Sequence, residues 1–399
     1  MWPRRSVPRL TGAVAASLIT AAAVAGVATA GAPAAAFTAA VVTPCVAWTG
    51  GSQPPDPGGD SEQNHLGSVA VLSPCNAWAV GYADPGQTLI THWDGAGWTQ
   101  WPSPDPGNQD RLLGVTALTA SNAWAVGDYF DGTATRTLIA HWDGLDWTQV
   151  PSPNVGSGQN TLVAVRGTSA TNVWAVGFYN NSNNVDQTLI LHWNGTAWKV
   201  VPSPDPSGAT MNQELTGVSG SSAQDAWAVG FYYTGLDKSM ILHWNGTAWK
   251  QVTSPNPGSQ GTFLYGVRTT SASDAWAVGS AFNGSADKTL IVHWDGSAWK
   301  QVASPNPGGA TENNDLSSVA ATTATNAWAV GSYDTGQGTR TLALHWDGSA
   351  WTQATTPNLG GSSIDDAFTS VGASTAGNVW AVGHYFDGSR DQTMAFHCC

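Results

Sequence analysis

The tetrapeptide Trp-Ala-Val-Gly occurs seven times, beginning at Trp78, Trp124, Trp174, Trp227, Trp276, Trp328 and Trp380, roughly 50 residues apart. A fixed period of this length constrains the chain more than any other feature. Each copy must fold as one unit and bury its apolar face against the next copy. The copies share one plan. An L-x-[Gly/Ser/Ala]-V segment ("LGSVAVL" from Leu66) leads through a polar turn to "NAWAVG" or "DAWAVG", then a variable loop, "TLIxHWDG", "xxWTQV" and a "PSPNPG" run.

Four short strands per copy follow, named a to d from the centre outward. In strand b, Trp78 and Val80 alternate with Ala77, Ala79 and Gly81, which puts large side chains on one face and small ones on the other. Asp-Gly or Asn-Gly between strands c and d is a strong hairpin signal. The proline-rich run ends strand d, because proline offers no donor to a ladder. The expected fold is all-β: a seven-bladed β-propeller of four-stranded antiparallel blades, with large face meeting small face around a ring.

The chain ends "RDQTMAFHCC", with strand c of the last copy present and strand d missing. Near the N-terminus, "PCVAWTGGSQPPDPGGD" matches "GAGWTQWPSPDPG", with Trp48 in the place of Trp98. The N-terminal strand is therefore expected to complete the last blade, close the ring and remove a sheet edge. In that alignment Cys45, Cys398 and Cys399 fall at one c–d turn. A bridge from Cys45 to either C-terminal cysteine would close a loop of most of the chain, for which chain-entropy arguments assign about 4–5 kcal/mol. Cys75, in the a–b turn of the adjacent first blade, is a candidate partner for the remaining C-terminal cysteine.

Residues 1–36 read as a secretory signal peptide that is removed, and 37–399 as a single propeller domain. Arg4, Arg5 and Arg9 precede an Ala-rich apolar run ending in small residues at Ala28 and Ala30. A retained anchor competes with this reading, because the run approaches spanning length. The mature chain offers no other membrane span. It is expected to be secreted, extracellular or associated with a cell wall, and monomeric.

The D-G-x-x-W run, Asp94 to Trp98 and its copies, resembles a shortened Asp-box at the same turn. The chain as a whole resembles secreted bacterial propeller repeats of the Asp-box, kelch and tectonin kind. It lacks the kelch double glycine and the Gly-His partner of WD repeats. The resemblance implies the architecture and carries over no functional residue.

A formal net charge of −13, with 14 basic residues in 399, argues against a nucleic-acid partner. No phosphate loop, zinc spacing or nucleophile elbow appears. Twenty tryptophans recur at repeat positions and read as packing; Trp101 departs from the pattern and reads as exposed near an edge. Seven histidines (His92, His141, His192, His243, His293, His345, His397) also recur. Their strands would lie about 15–20 Å apart in a ring with ~4.8 Å strand spacing, too far for a shared metal, so each is expected to structure its own c–d hairpin. His65 and His384 lie off the repeat. Polar loops leading into each strand a converge on one end, called the top. They supply the ligand-binding candidates Glu62, Asn64, His65, Asp110, Arg111, Asn160, Glu214, Glu312, Asn314 and Asp366, with His384 beside them. Arg166 and Arg268 are expected at the opposite end.

The reading that follows is a binding module for carbohydrate or a surface protein, held by top-face loops and by Tyr129, Tyr179, Tyr232, Tyr333 and Tyr385. No cofactor is required; calcium is the cation that an acidic loop ring would suit. A glycoside hydrolase or lyase using paired carboxylates, Asp366 with Glu62 or Glu312, is the alternative, and a structural wall protein the third.

Overall fold

Each Trp-Ala-Val-Gly copy lies in the second strand of an antiparallel meander. In the first copy, strand a is Asn64–Ser73, b is Asn76–Ala83, c is Gln87–Trp93 and d is Trp98–Trp101, hydrogen-bonded in that order. The structure is a computed structural model that describes residues 48, 53–56, 63–361 and 365–398, all within the unit Val42–Cys399. Among the described residues there are 27 strands and no helix. Six copies have four strands. The last has three, Asp366–Thr375, Asn378–Phe386 and Asp391–Cys398.

The inner strands touch one another in chain order, and strand a of the last copy touches strand a of the first. They surround a cavity of about 490 Å³ lined by residues from all seven copies. Every strand a carries a bulge, in the first copy between Leu66 and Ser68. The strand-b glycine sits opposite it: a Cβ on Gly81 would lie 1.8 Å from the His65 carbonyl oxygen. That close approach is why the fourth residue of Trp-Ala-Val-Gly is glycine in every copy.

Packing between copies follows the expected faces. Trp78 and Val80 share a core with Ala123 and Ala125 of the next copy, and Trp227 and Val229 do so with Ala275 and Ala277. The strand-d tryptophan of each copy meets the strand-b tryptophan of the preceding one edge to face. Trp147 lies 5.2 Å from Trp78 at 85°, and Trp249 lies 5.1 Å from Trp174 at 85°. The indole N–H groups of both sets have no hydrogen-bond partner among the described residues. Trp101 is not an exposed edge residue. It is partly buried, 5.0 Å from Trp142 and 5.9 Å from Trp78.

Trp48 makes the same contact one step round. It is 2% exposed and lies 5.2 Å from Trp328 at 85°. Asp56 accepts the Thr393 N–H at 2.8 Å, as Asp105 accepts that of Thr88 at 2.7 Å. The rest of the expected closing strand lies outside the described residues.

The repeating histidines bond sideways rather than into the c–d hairpin. Each Nε2 pairs with the first side chain of its own strand b, as His92 with Asn76 at 3.2 Å and His293 with Asp274 at 2.7 Å. Each ring also lies against the strand-b tryptophan, His92 at 4.3 Å from Trp78. The hairpin is held instead by its own aspartate: Asp94 accepts the Ala96 and Gly97 N–H groups at 2.8 and 3.0 Å, with Gly95 at φ +98°.

Cys75 does not pair with a C-terminal cysteine. It is a free, exposed thiol, because its turn packs on Gly95 of its own copy, where a Cβ would lie 2.8 Å from its Sγ. Cys398 is fully buried; Cys45 and Cys399 lie outside the described residues.

Candidate functional site

At the top of each strand a, two adjacent residues point to opposite faces and do different work. The first is Asn64, Asp110, Asn160, Gln213, Thr262, Asn314 or Asp366, each at most 1% exposed. Where its partners are seen, this residue anchors the preceding loop. Asp110 accepts the Gly107 N–H at 3.1 Å, Asn160 that of Val155 at 2.7 Å, and Asn314 that of Gly308 at 2.8 Å. Asp366 accepts that of Gly360 at 3.1 Å. Burial pushes the Asp366 carboxyl up to about 6 and also raises Asp110.

The second residue is His65, Arg111, Thr161, Glu214, Phe263, Asp315 or Ala367, and no two are alike. Each is paired across strands with a residue of its own strand b: Tyr82, Asp128, Phe178, Phe231, Ser280, Ser332 and His384 respectively. Several also touch strand b of the preceding copy. The Thr161 hydroxyl donates to Asp128 at 2.7 Å, Phe263 meets Phe231 at 5.1 Å, and His65 meets His384 at 4.6 Å. The result is a belt of non-repeating side chains around the top of an otherwise repetitive molecule.

The belt is richest where the last, first and second copies meet. The His65 ring stacks on Tyr82 at 5.0 Å, and its Nε2 lies 3.3 Å from the Asp391 carboxylate. The Arg111 guanidinium makes two bonds to Asp128, from Nε at 3.0 Å and from an Nη at 2.8 Å. Tyr82, Arg111 and Asp128, with Asp84, Gln109 and Phe130, line a cleft of about 530 Å³. Gln109 holds φ +60° there, an uncommon conformation for a residue with a side chain. Burial lowers the pKa of both His65 and His384, so both rings favour the neutral form. Burial also raises the Tyr82 hydroxyl, opposed by the Arg111 charge. Farther round the belt, burial pushes Glu214 up to about 7.

Of the candidates, the structure brings His65, His384 and Arg111 into one region. Glu214 and Glu312 stand in other copies; the Glu312 main-chain carbonyl accepts a bond from Lys288 at 2.6 Å. Asp110, Asn160, Asn314 and Asp366 are buried beside their loops, Asn64 is fully buried, and Glu62 lies outside the described residues. The five repeating tyrosines pack half-buried against the inter-copy cores. Arg166 and Arg268 line the central cavity, whose described lining contains no acidic residue, and both lie past the middle of their strands counted from the top. Tyr82, Asp128 and Asp391 were not singled out from sequence. The signal was present, since their neighbours in the belt are the positions where aligned copies disagree.

No protein-family model matches the chain, and no curated protein matches it. Solved structures do resemble it. YCF48 bound to D1 peptide superposes with a TM-score of 0.54 at 14% identity, over 89% of this chain and 99% of that one. YCF48 from Cyanidioschyzon merolae gives 0.51 at 12%, over 88% and 98%. A polysaccharide lyase of family PL25, an ulvan lyase bound to -[GlcA(1-4)Rha3S]-, gives 0.52 at 9%, over 89% and 96%. The fold is that of a β-propeller. Identities this low show the fold alone. Among the described residues no helix is long and apolar enough to cross a membrane.

Proposed function

We propose that the chain is a secreted seven-bladed propeller, closed by its N-terminal strand, that binds carbohydrate in the cleft between its first two blades. The closure is supported by Trp48 and Asp56, which make the contacts of a strand-d tryptophan and its following loop. The ligand reading rests on one observation: the cleft joins aromatic rings, Tyr82 and Phe130, to a planar charged pair, Arg111 with Asp128, in about 530 Å³. Aromatic faces suit the C–H side of a sugar ring, and planar charged groups suit paired hydroxyls.

Two features favour binding over bond cleavage. Asp128 already neutralises Arg111, so the guanidinium is poorly placed to draw charge from a uronate carboxylate. Asp366 is turned into its own loop, away from the role of a paired catalytic acid. A small ligand also fits the cleft better than a protein partner, which would need roughly 800 Å² of surface.

The test is an array of glycans and polysaccharides probed with the purified chain, followed by calorimetry on any hit. Tyr82→Ala and Arg111→Ala should weaken binding at least tenfold without lowering the melting temperature by more than a few degrees. A blank array, or binding unchanged in both variants, would overturn the reading.

A further inference from the structure

Three metal-ligating side chains meet at the seam between the ends of the chain. His65 lies on strand a of the first copy, His384 on strand b of the last, and Asp391 begins strand c of the last. One ligand atom from each lies within 4.8 Å of the others, and all three residues are half-buried. Four-coordinate zinc with bonds of 2.0–2.1 Å sets its ligand atoms about 3.3 Å apart. The His65 Nε2 to Asp391 distance is already 3.3 Å, so small side-chain rotations would complete the set.

Two further observations separate this cluster from an ordinary ion pair. The Nδ1 atom of His384 is buried and has no hydrogen-bond partner among the described residues, whereas each repeating histidine has an Asn or Asp partner. His384 is also the one histidine at its place, which holds Tyr82, Asp128, Phe178, Phe231, Ser280 and Ser332 in the other copies. Asp186, Asp237 and Asp287 stand where Asp391 stands, and there the belt offers no histidine pair. The aspartate belongs to the repeat, and the two imidazoles are the addition.

We propose that His65, His384 and Asp391 bind one divalent late-transition-metal ion of the zinc class. Two imidazoles and one carboxylate suit zinc and its neighbours, while calcium takes six to eight oxygen ligands. Three protein ligands leave one position for water or a ligand oxygen. The ion would join residues 65 and 391 across the seam and fasten the first blade to the last. This inference does not rest on the carbohydrate reading, although His65 shares Tyr82 with the cleft.

The experiment is calorimetric titration of Zn²⁺ into the chelator-treated full chain, with melting temperature measured in parallel. Wild type should bind one equivalent and melt higher as zinc rises, with no such response to calcium. His384→Ala and Asp391→Asn should each weaken binding at least tenfold and abolish the thermal response. His65→Phe should do the same while keeping a ring against Tyr82. Melting curves without zinc show which variants fold, and any one folded variant suffices for the comparison. Absence of zinc binding to wild type, or undiminished binding in the folded variants, would overturn the proposal. Glycan binding read on the same variants with chelator present keeps the two readings apart.

Discussion

Replacing Glu214 by glutamine should stabilise the protein at alkaline pH and do nothing in acid. Glu214 sits half-buried in the belt, paired across strands with Phe231, whose ring meets Phe263. Burial is the main reason its carboxyl rises from 4.5 to about 7, with Asp186 and Asp237 adding to it. A raised folded value means the fold holds the proton more tightly than the unfolded chain does. Stability is therefore full below about pH 4.5, falls as pH rises through the window, and is lowest above about pH 7. At about 1.36 kcal/mol per pH unit, a window from 4.5 to about 7 corresponds to a ceiling of about 3 kcal/mol. Glutamine keeps the shape of the neutral acid at every pH. With an unfolding entropy of about 2.1 cal/mol/K per residue, 3 kcal/mol is about 4 °C in a domain of this size. Thermal unfolding followed by tryptophan fluorescence at pH 4, 6 and 8 reads the effect. The two proteins should coincide at pH 4 and diverge steadily toward pH 8, with the variant higher. A difference that stays constant with pH, or a variant that melts lower at pH 8, would refute the argument from burial.

Trp48→Ala should cost about 3–5 kcal/mol, the usual loss for a buried tryptophan, and match Trp98→Ala within about 1 kcal/mol in the same denaturation series; a negligible cost would detach the N-terminus from the last blade. A non-reduced digest should join Cys45 to Cys398 or Cys399, while an alkylating reagent labels Cys75 in the folded chain; four free thiols by mass would remove the bridge. Arg166→Met should raise the melting point, because repulsion from Arg268 and then burial disfavour the Arg166 charge; a lower melting point would show that the cavity uses that charge.

The architecture was legible because its determinants repeat. Trp78, Val80, Ala79 and Gly81 state the two faces of a blade, and seven copies state them seven times. Trp48 could be placed because its surroundings match a repeated motif. The hydrogen-bonded histidines were read correctly as structural, but the partner was missed, since Asn76 stands sixteen residues from His92 and only the pairing of strands b and c brings them together. The site was less legible for the opposite reason. Asn160 and Thr161 are neighbours in sequence and both polar, yet one is buried against its loop and the other lies in the belt. Composition does not separate them; strand alternation does, once the register is known. Tyr82 and Asp128 lie just past the Trp-Ala-Val-Gly glycine, where the motif appears finished. Cys75 was misassigned because sheet position alone does not give the direction of a turn.

If the ring closes as proposed, the large-face, small-face packing has a consequence for the chain before closure. Each blade offers a Trp-Val surface on one side and an Ala-Ala-Gly recess on the other, so an opened ring carries both members of that pair at its two ends. Such an interface is heterologous: it adds head to tail, and only the closing rotation prevents it from continuing. A chain whose first and last blades fail to meet therefore exposes two surfaces that are complementary to those of any other such chain. Head-to-tail oligomers are the misassembly this fold invites, and whatever pins the seam acts as the terminator of that polymerisation.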